Sequence, residues 1–237
     1  MSLKRIYDWF LQKLYPPRCI FCRTVMNDGT KLMVCRDCAV SVQKVSPEHC
    51  PVCGRETELG DAVCWQCSVN KIPFKSHRSV YAYRDKARRA VVGFKFHNRP
   101  HYAETMGQLM SVYAPKLSSI DCVTYVPMTK RAVRKRGYNQ AELLARKIAE
   151  CTGAEFEICL EKIKETKVQS RLSFKNRQKN IAGAFSGLHN VRGRKILLVD
   201  DVFTTGATIT AAAKALKKAG ASEINCLTFA MTQRKEK

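Results

Sequence analysis

The sequence predicts an α/β fold: a mostly parallel sheet flanked by helices, behind an N-terminal segment organised around metal. Three observations predict it. Apolar runs and helical periodicities alternate from about His77 onward, the pattern of parallel strands joined by crossover helices. The run Ile196-Leu197-Leu198-Val199 is short, wholly apolar and bounded by charge, as a central parallel strand is. Eight of the 12 cysteines fall in four C-x-x-C pairs ahead of that pattern.

The pairs are Cys19/Cys22, Cys35/Cys38, Cys50/Cys53 and Cys64/Cys67, separated by 12, 11 and 10 residues. C-x-x-C knuckles at such spacing mark tetrahedral zinc sites. One knuckle holds an edge of the tetrahedron and a second supplies the other edge. Eight thiolates therefore imply two structural four-cysteine zinc-ribbon sites with no position left for water. Sequential pairing puts Cys19, Cys22, Cys35 and Cys38 on one ion, and Cys50, Cys53, Cys64 and Cys67 on the other. A crossed arrangement, first knuckle with third, fits the spacing too. Gly54, just after the Cys-Pro-Val-Cys knuckle, stands where a positive φ is useful. A disulfide framework and an iron–sulfur cluster are the competing readings; no secretory signal is visible, which disfavours the first. Cys122, Cys151, Cys159 and Cys226 are isolated, and Cys122 and Cys226 lie in apolar, strand-like runs that read as core.

Taken in order, Ser2–Tyr15 carries apolar residues at helical spacing, interrupted by charge, and reads as a helix that docks on its own domain or on a partner. Ser79–Tyr83 reads as a strand and Lys86–Phe96 as a helix. Asp121–Pro127 is a strand ended by proline. Tyr138–Cys151 has apolar positions at Ala141, Leu144, Ala145 and Ile148 and stops before Gly153. Phe156–Leu160 reads as one strand, Thr205–Lys218 as a helix stopped by Gly220, and Ile224–Phe229 as the last strand.

The chain carries 42 basic against 20 acidic side chains, a formal charge of +22. The excess is uneven: residues 76–190 hold 22 basic and 9 acidic groups, residues 1–75 only 11 and 7. Such a surplus favours polyanionic partners; a generally solvated basic surface is the plainer reading. Lys95, Arg134, Lys135 and Arg136 are candidate contacts to DNA or phosphate, and Phe94, Phe96 and Phe174 are aromatics among basic residues that could stack on bases. No apolar stretch approaches the 18 or so residues needed to span a bilayer, so no transmembrane segment is expected. Free thiols and metal thiolates point to the cytoplasm.

The segment Lys195–Ile209 carries the most specific chemistry. Asp200 and Asp201 stand where the apolar strand is expected to end. Thr204, Thr205, Gly206, Ala207 and Thr208 then offer backbone N–H groups and hydroxyls at the start of a helix, a site for phosphate. Adjacent carboxylates suit a sugar diol with Mg²⁺ nearby, so the segment fits a ribose 5-phosphate. A Walker B reading needs a P-loop, and the sequence contains no G-x-x-x-x-G-K-[ST]. A phospho-acceptor domain has no need of the Thr-Thr-Gly-Ala-Thr turn. Two further polar stretches follow apolar runs: Pro127–Gln140, with five basic residues between Lys130 and Arg136, and Thr166–Asn180, with Gln169 and Arg171 near its start.

Val199–Ile209 resembles the phosphoribosyl-pyrophosphate (PRPP) loop of type I phosphoribosyltransferases. The resemblance implies that Asp200 and Asp201 hold the ribose with Mg²⁺ and that Thr204 to Thr208 wrap the 5-phosphate. By position, Met128–Arg131 resembles the pyrophosphate loop, which implies that Lys130 and Arg131 neutralise the departing pyrophosphate. Thr166–Asn180, with Gln169 and Arg171, resembles the mobile loop that closes over PRPP and excludes water. The order of the four knuckles, Phe94-Lys-Phe96, Arg136-Gly-Tyr-Asn-Gln140, Gln169-Ser-Arg-Leu172, Arg177 with Asn180, and Val199-Asp-Asp to Thr208 is similar to that of ComF/GntX-like (ComFC) proteins, from about Pro17 to Phe229. That implies an amphipathic helix over 1–16, a double zinc ribbon over 17–72 and a type I phosphoribosyltransferase-like domain over 77–237. It also implies a role in natural transformation and DNA uptake, acting in the cytoplasm on single-stranded DNA with a helicase-like competence protein as partner. The alternative is an active phosphoribosyltransferase serving an unidentified nucleobase or nucleotide acceptor, with no role in DNA uptake.

Overall fold

The computed structural model describes residues 16–26, 32–57, 60, 62–114, 120–165 and 181–233. The expected N-terminal helix and the stretch holding Gln169, Arg171, Phe174, Arg177 and Asn180 lie outside them.

Two short helices, α1 (Arg36–Ser41) and α2 (Trp65–Val69), belong to the cysteine segment. The rest runs β1 (Ser76–Ala82), α3 (Asp85–Phe96), α4 (Tyr102–Ser111), β2 (Cys122–Tyr125), α5 (Lys130–Arg136), α6 (Gln140–Thr152), β3 (Glu155–Phe156), β4 (Leu160–Lys162), β5 (Phe185–Gly187), β6 (Lys195–Phe203), α7 (Ala207–Lys218) and β7 (Glu223–Met231). Five strands form one sheet in the order β1-β7-β6-β2-β3, and every pairing in it is parallel. β4 and β5 form a separate antiparallel ribbon.

The sheet is covered on both faces, which is why Ile196–Val199 of β6 reads as an unbroken apolar run. On one face Leu197, Val199, Leu227 and Phe229 pack with Phe94 of α3, Met106 of α4 and Leu144 of α6. On the other, Ile196, Leu198, Ile224 and Cys226 pack with Ala212 and Leu216 of α7 and with Leu160 and Phe185 of the ribbon. Fully burying side chains of this size contributes about 1.5–3 kcal/mol each.

The two cysteine clusters divide between these faces. Cys19, Ile20, Phe21 and Cys38 join the first core, whereas Cys50, Cys53 and Phe74 join the second. Between them the segment hydrogen-bonds the outer edge of β1: Val45 N donates to Val80 O at 3.1 Å, Ala82 N to Gln43 O at 3.0 Å and His77 N to Val52 O at 2.8 Å. An edge strand left bare would template pairing with another chain, and here it is capped.

Two expectations need correction. Phe156–Leu160 is not one strand: the chain leaves β3 at Phe156 and starts β4 at Leu160. Glu157 N still donates to Val123 O of β2 at 3.1 Å, but Cys159 N turns to Thr124 Oγ1 at 3.2 Å and Cys159 O accepts from Leu188 N at 2.9 Å, so the chain passes from the sheet to the ribbon. β6 also does not stop at Asp200–Asp201. It stays paired with β7 as far as Phe203, opposite Met231.

Candidate functional site

The metal centres come first, because their geometry is closed. The Sγ atoms of Cys19, Cys22, Cys35 and Cys38 all lie within 4.8 Å of one another, and so do those of Cys50, Cys53, Cys64 and Cys67. The pairing is therefore sequential. Cys22 and Cys35 Sγ are 3.6 Å apart and Cys53 and Cys64 Sγ 3.7 Å apart. Four sulfurs at about 2.3 Å from a tetrahedral zinc stand about 3.8 Å from each other, so the thiolates fit the ion without rearrangement. Cys35 and Cys64 occupy matching places, each with extended backbone at the N-cap of a short helix, α1 and α2. Cys64 N also donates to Cys50 Sγ at 3.4 Å. The Cys53 thiol, hydrogen-bonded to Cys67, is pulled down to about 5, and the same contact pushes Cys67 up. Both sites are sulfur-only and structural.

The aspartates sit beyond the apolar centre of β6. Successive strand residues face opposite sides of the sheet, and their partners show it. Asp201 is buried on the α3 side, where Lys95 Nζ meets its Oδ1 at 2.7 Å. Asp200 turns to the other side, where Lys162 of β4 and Cys226 of β7 feel its charge. Burial, reinforced by the neighbouring Asp201 charge, lifts the Asp200 carboxyl to about 7. Burial opposes the charge on Lys95, but Asp201 and then Asp200 outweigh it and raise its pKa. Two carboxylates and two lysines thus straddle the sheet at the C-terminal end of its middle strand, where open α/β sheets place their ligands.

The Thr204–Thr208 turn follows directly. Gly206 has φ 81°, in the left-handed region, and N-caps α7. A Cβ there would stand 2.7 Å from Phe203 Cζ, so the position requires glycine. Thr205 Oγ1 accepts from Ala207 N at 3.3 Å, and Thr204, Thr205 and Thr208 are partly exposed. The loop borders a cleft of about 570 Å³ that also reaches Phe185, Lys214 and Lys218. Thr205, Gly206 and Ala207 thus line the cleft at the start of α7, with the Ala207 N–H held by the Thr205 hydroxyl.

The segment after β2 is not a simple loop. Thr129 caps α5 by accepting from Ala132 N at 3.3 Å, and Gly137, at φ 91°, ends it. Lys130, Arg131, Arg134 and Lys135 are exposed on α5, and Arg131 lies 3.7 Å from Glu165. Arg136 is instead held inward: it donates to Gln140 Oε1 at 2.7 Å, with its guanidinium carbon 5.2 Å from the Phe96 ring centre. Tyr138 donates its hydroxyl to Phe94 O, and Asn139 caps α6 by accepting from Ala141 N at 3.0 Å. The stretches 94–96 and 136–140 therefore interlock, which their separation in sequence hides.

Of the aromatics expected to meet bases, Phe94 is wholly buried and only Phe96, 67% exposed, is available among the described residues. Lys95, expected at a DNA or phosphate contact, is engaged by Asp201 here. Lys162 and Arg55, which donates to Thr204 O at 3.4 Å, were not singled out from the sequence. Neither stands in a motif, and each reaches the site only through a tertiary contact.

Comparison with known proteins agrees with this organisation. A family model described as double zinc ribbon domain matches residues 10–68, and one described as phosphoribosyl transferase domain matches residues 132–237. The competence protein ComFC of Bacillus subtilis (strain 168) is 29% identical over 208 residues, 83% of each chain. Competence protein F of Haemophilus influenzae is 28% identical over 217 residues, 87% of this chain and 93% of the relative. The DNA utilization protein YhgH of Salmonella typhimurium (strain LT2) is 30% identical over 199 residues, 81% of this chain and 87% of its own length. With that identity sustained through both the cysteine clusters and the parallel sheet, the chain belongs to the ComF/GntX-like (ComFC/YhgH) family, a double zinc ribbon joined to a phosphoribosyl transferase domain.

Proposed function

We propose that this chain binds PRPP with Mg²⁺ and single-stranded DNA, and serves the handling of incoming DNA in the cytoplasm. The observation that carries the ligand is the pair Asp200–Asp201, with four residues between it and Gly206, the N-cap of α7. Carboxylates for a ribose diol and N–H groups for its 5-phosphate then lie at one strand end. Asp200 and Asp201 take the ribose, with Mg²⁺ held by the same carboxylates. Thr204, Thr205, Gly206, Ala207 and Thr208 take the phosphate. Lys130 and Arg131, exposed at the start of α5, are the cations available to a pyrophosphate, and Gln169 and Arg171 are assigned to a closing loop.

The DNA assignment rests on charge. Lys130 and Arg134, and Arg131 and Lys135, are like-charged i,i+4 pairs on a seven-residue helix. Each such pair costs about 0.2–0.5 kcal/mol until an anion relieves it. The relatives' names, competence protein and DNA utilization protein, favour DNA over a free nucleobase as the macromolecular context. A helicase-like competence protein is the partner this reading calls for.

Calorimetry with PRPP and Mg²⁺, beside a pyrophosphate-release assay with and without single-stranded DNA, tests it. Binding by the wild type and its loss in Asp200→Ala/Asp201→Ala is expected. Absence of PRPP binding removes the ligand assignment. Turnover that ignores DNA supports a transferase with a separate acceptor.

A further inference from the structure

We infer that the second zinc ribbon is a working part of the candidate phosphate site, with Arg55 as the positioning residue that joins them. The loop and this ribbon are far apart in sequence but meet through a short, partly buried relay. Arg55 follows the Cys50–Cys53 knuckle by two residues. One arm of its guanidinium donates to Gln66 Oε1 at 2.7 Å, on α2 between Cys64 and Cys67. The other donates to the Thr204 carbonyl at 3.4 Å, and the group lies 5.3 Å from the Phe203 ring centre. Its Nε is buried and lacks a hydrogen-bond partner among the described residues.

A parallel path runs through His77. Burial holds this imidazole neutral, its pKa down to about 3. It stacks on Phe203, with ring centres 4.0 Å apart. Its Nδ1 hydrogen-bonds the Cys53 carbonyl at 2.8 Å, and its Nε2 the Thr228 hydroxyl at 3.0 Å. Gly54 leaves room for this contact, since a Cβ there would stand 2.8 Å from His77 O. Phe203 in turn supports Gly206, so the zinc knuckle, Arg55, His77, Phe203 and the turn are in continuous contact. Close-packed interiors transmit such displacement rather than absorb it.

The chemistry explains why a phosphate loop needs this. N–H groups converge on an anion only when the intervening carbonyls are turned elsewhere and held. Arg55 holds that of Thr204, and its charge favours an anion alongside. Among the described residues the first ribbon shows no such path: Phe21 there meets Tyr81 edge-on and stacks on Phe229, in the core on the other face. Occupancy of the second metal site, and not of the first, is thus coupled to the loop.

The ligand half of this inference rests on the phosphate assignment above; the mechanical half does not. The full chain is compared as wild type, Arg55→Gln, Cys64→Ser and Cys35→Ser. Backbone amide exchange is read over residues 200–210 and over β2 without ligand, and PRPP–Mg²⁺ affinity by calorimetry. Arg55→Gln is expected to raise exchange several-fold over 200–210 only, to keep both zinc ions and to weaken PRPP roughly tenfold. Cys64→Ser should give the same local signature and Cys35→Ser should not. Exchange in Arg55→Gln equal to wild type overturns the inference, as does an equal effect of the two cysteine variants. If the wild type binds no PRPP while loop exchange still responds to Arg55, the coupling stands and the ligand assignment fails.

Discussion

Lys95 Nζ lies 2.7 Å from Asp201 Oδ1, tying the last turn of α3 to the outer end of β6. The Lys95 side chain is 24% exposed and that of Asp201 9%, so the pair is poorly screened. Removing one member leaves a buried charge with no counterpart, which costs more than the pair is worth. Lys95→Met is expected to lose about 3 kcal/mol in urea unfolding. Adding Asp201→Asn should recover most of it, giving a coupling energy well outside additivity. Additive losses would show that the two side chains do not act as a unit.

The metal content follows from the sulfur geometry. Two closed four-cysteine clusters predict two zinc ions per chain by elemental analysis. Cys35→Ser or Cys64→Ser should each leave one. Because ribbon folding and metal binding are one equilibrium, chelation should expose the edge of β1 that the cysteine segment covers. Exchange at the His77 and Ala82 amides, which donate to Val52 O and Gln43 O, reports it.

Gly206 combines a left-handed φ of 81° with a 2.7 Å limit set by Phe203. Gly206→Ala must accept the backbone strain, about 1–2 kcal/mol, and move the Phe203 ring. It is expected to lower the unfolding midpoint and to weaken PRPP binding together. A double variant, Gly206→Ala with Phe203→Leu, relieves the clash but not the strain. Recovery of stability with continued loss of binding would separate the two causes.

The sheet and the zinc sites were legible because each has a local signature. An apolar run such as Ile196–Val199 and a knuckle such as Cys50–Cys53 carry their own spacing. What the sequence hid depends on side chains meeting across the fold. Lys162 looks like any surface lysine of a short strand until β4 brings it to Asp200. The break between β3 and β4 goes with the bonds of Cys159 to the Thr124 hydroxyl, 35 residues away, and to Leu188 N, and no local pattern could divide 156–160 into two strands. Phe94 and Phe96 look alike in sequence, yet the helix turns one into the core and the other to solvent.

The Glu157–Arg194 contact gives a pH dependence with a definite sign. The Arg194 guanidinium, aided by Asn190, holds the Glu157 carboxyl below the usual carboxylate range, against a smaller penalty from burial. A depressed folded pKa stabilises the protein above the unfolded value, about 4.3, and that stability is lost as pH falls through the folded value. Glu157→Gln should therefore cost about 1 kcal/mol at pH 7 and progressively less as the pH falls below about 4.3. A constant difference from pH 7 to 3 would assign the loss to packing instead of charge.

Arg134 and Lys135 offer the sharpest test of the DNA assignment, because they are exposed and hold no ion-pair partner among the described residues. Contacts to single-stranded phosphates release counterions, so affinity falls with salt at a slope of about 0.7 per contact. Arg134→Gln with Lys135→Gln removes two cations without touching the core of α5. The logarithmic salt slope for an oligonucleotide should then shrink by about 1.4, with weaker binding at low salt and a small gain in stability as the two like-charge pairs are removed. Phe96→Ala, which removes a stacking surface but no charge, should weaken binding while keeping the slope. An unchanged slope in the double variant would place the DNA elsewhere on the basic surface, away from α5.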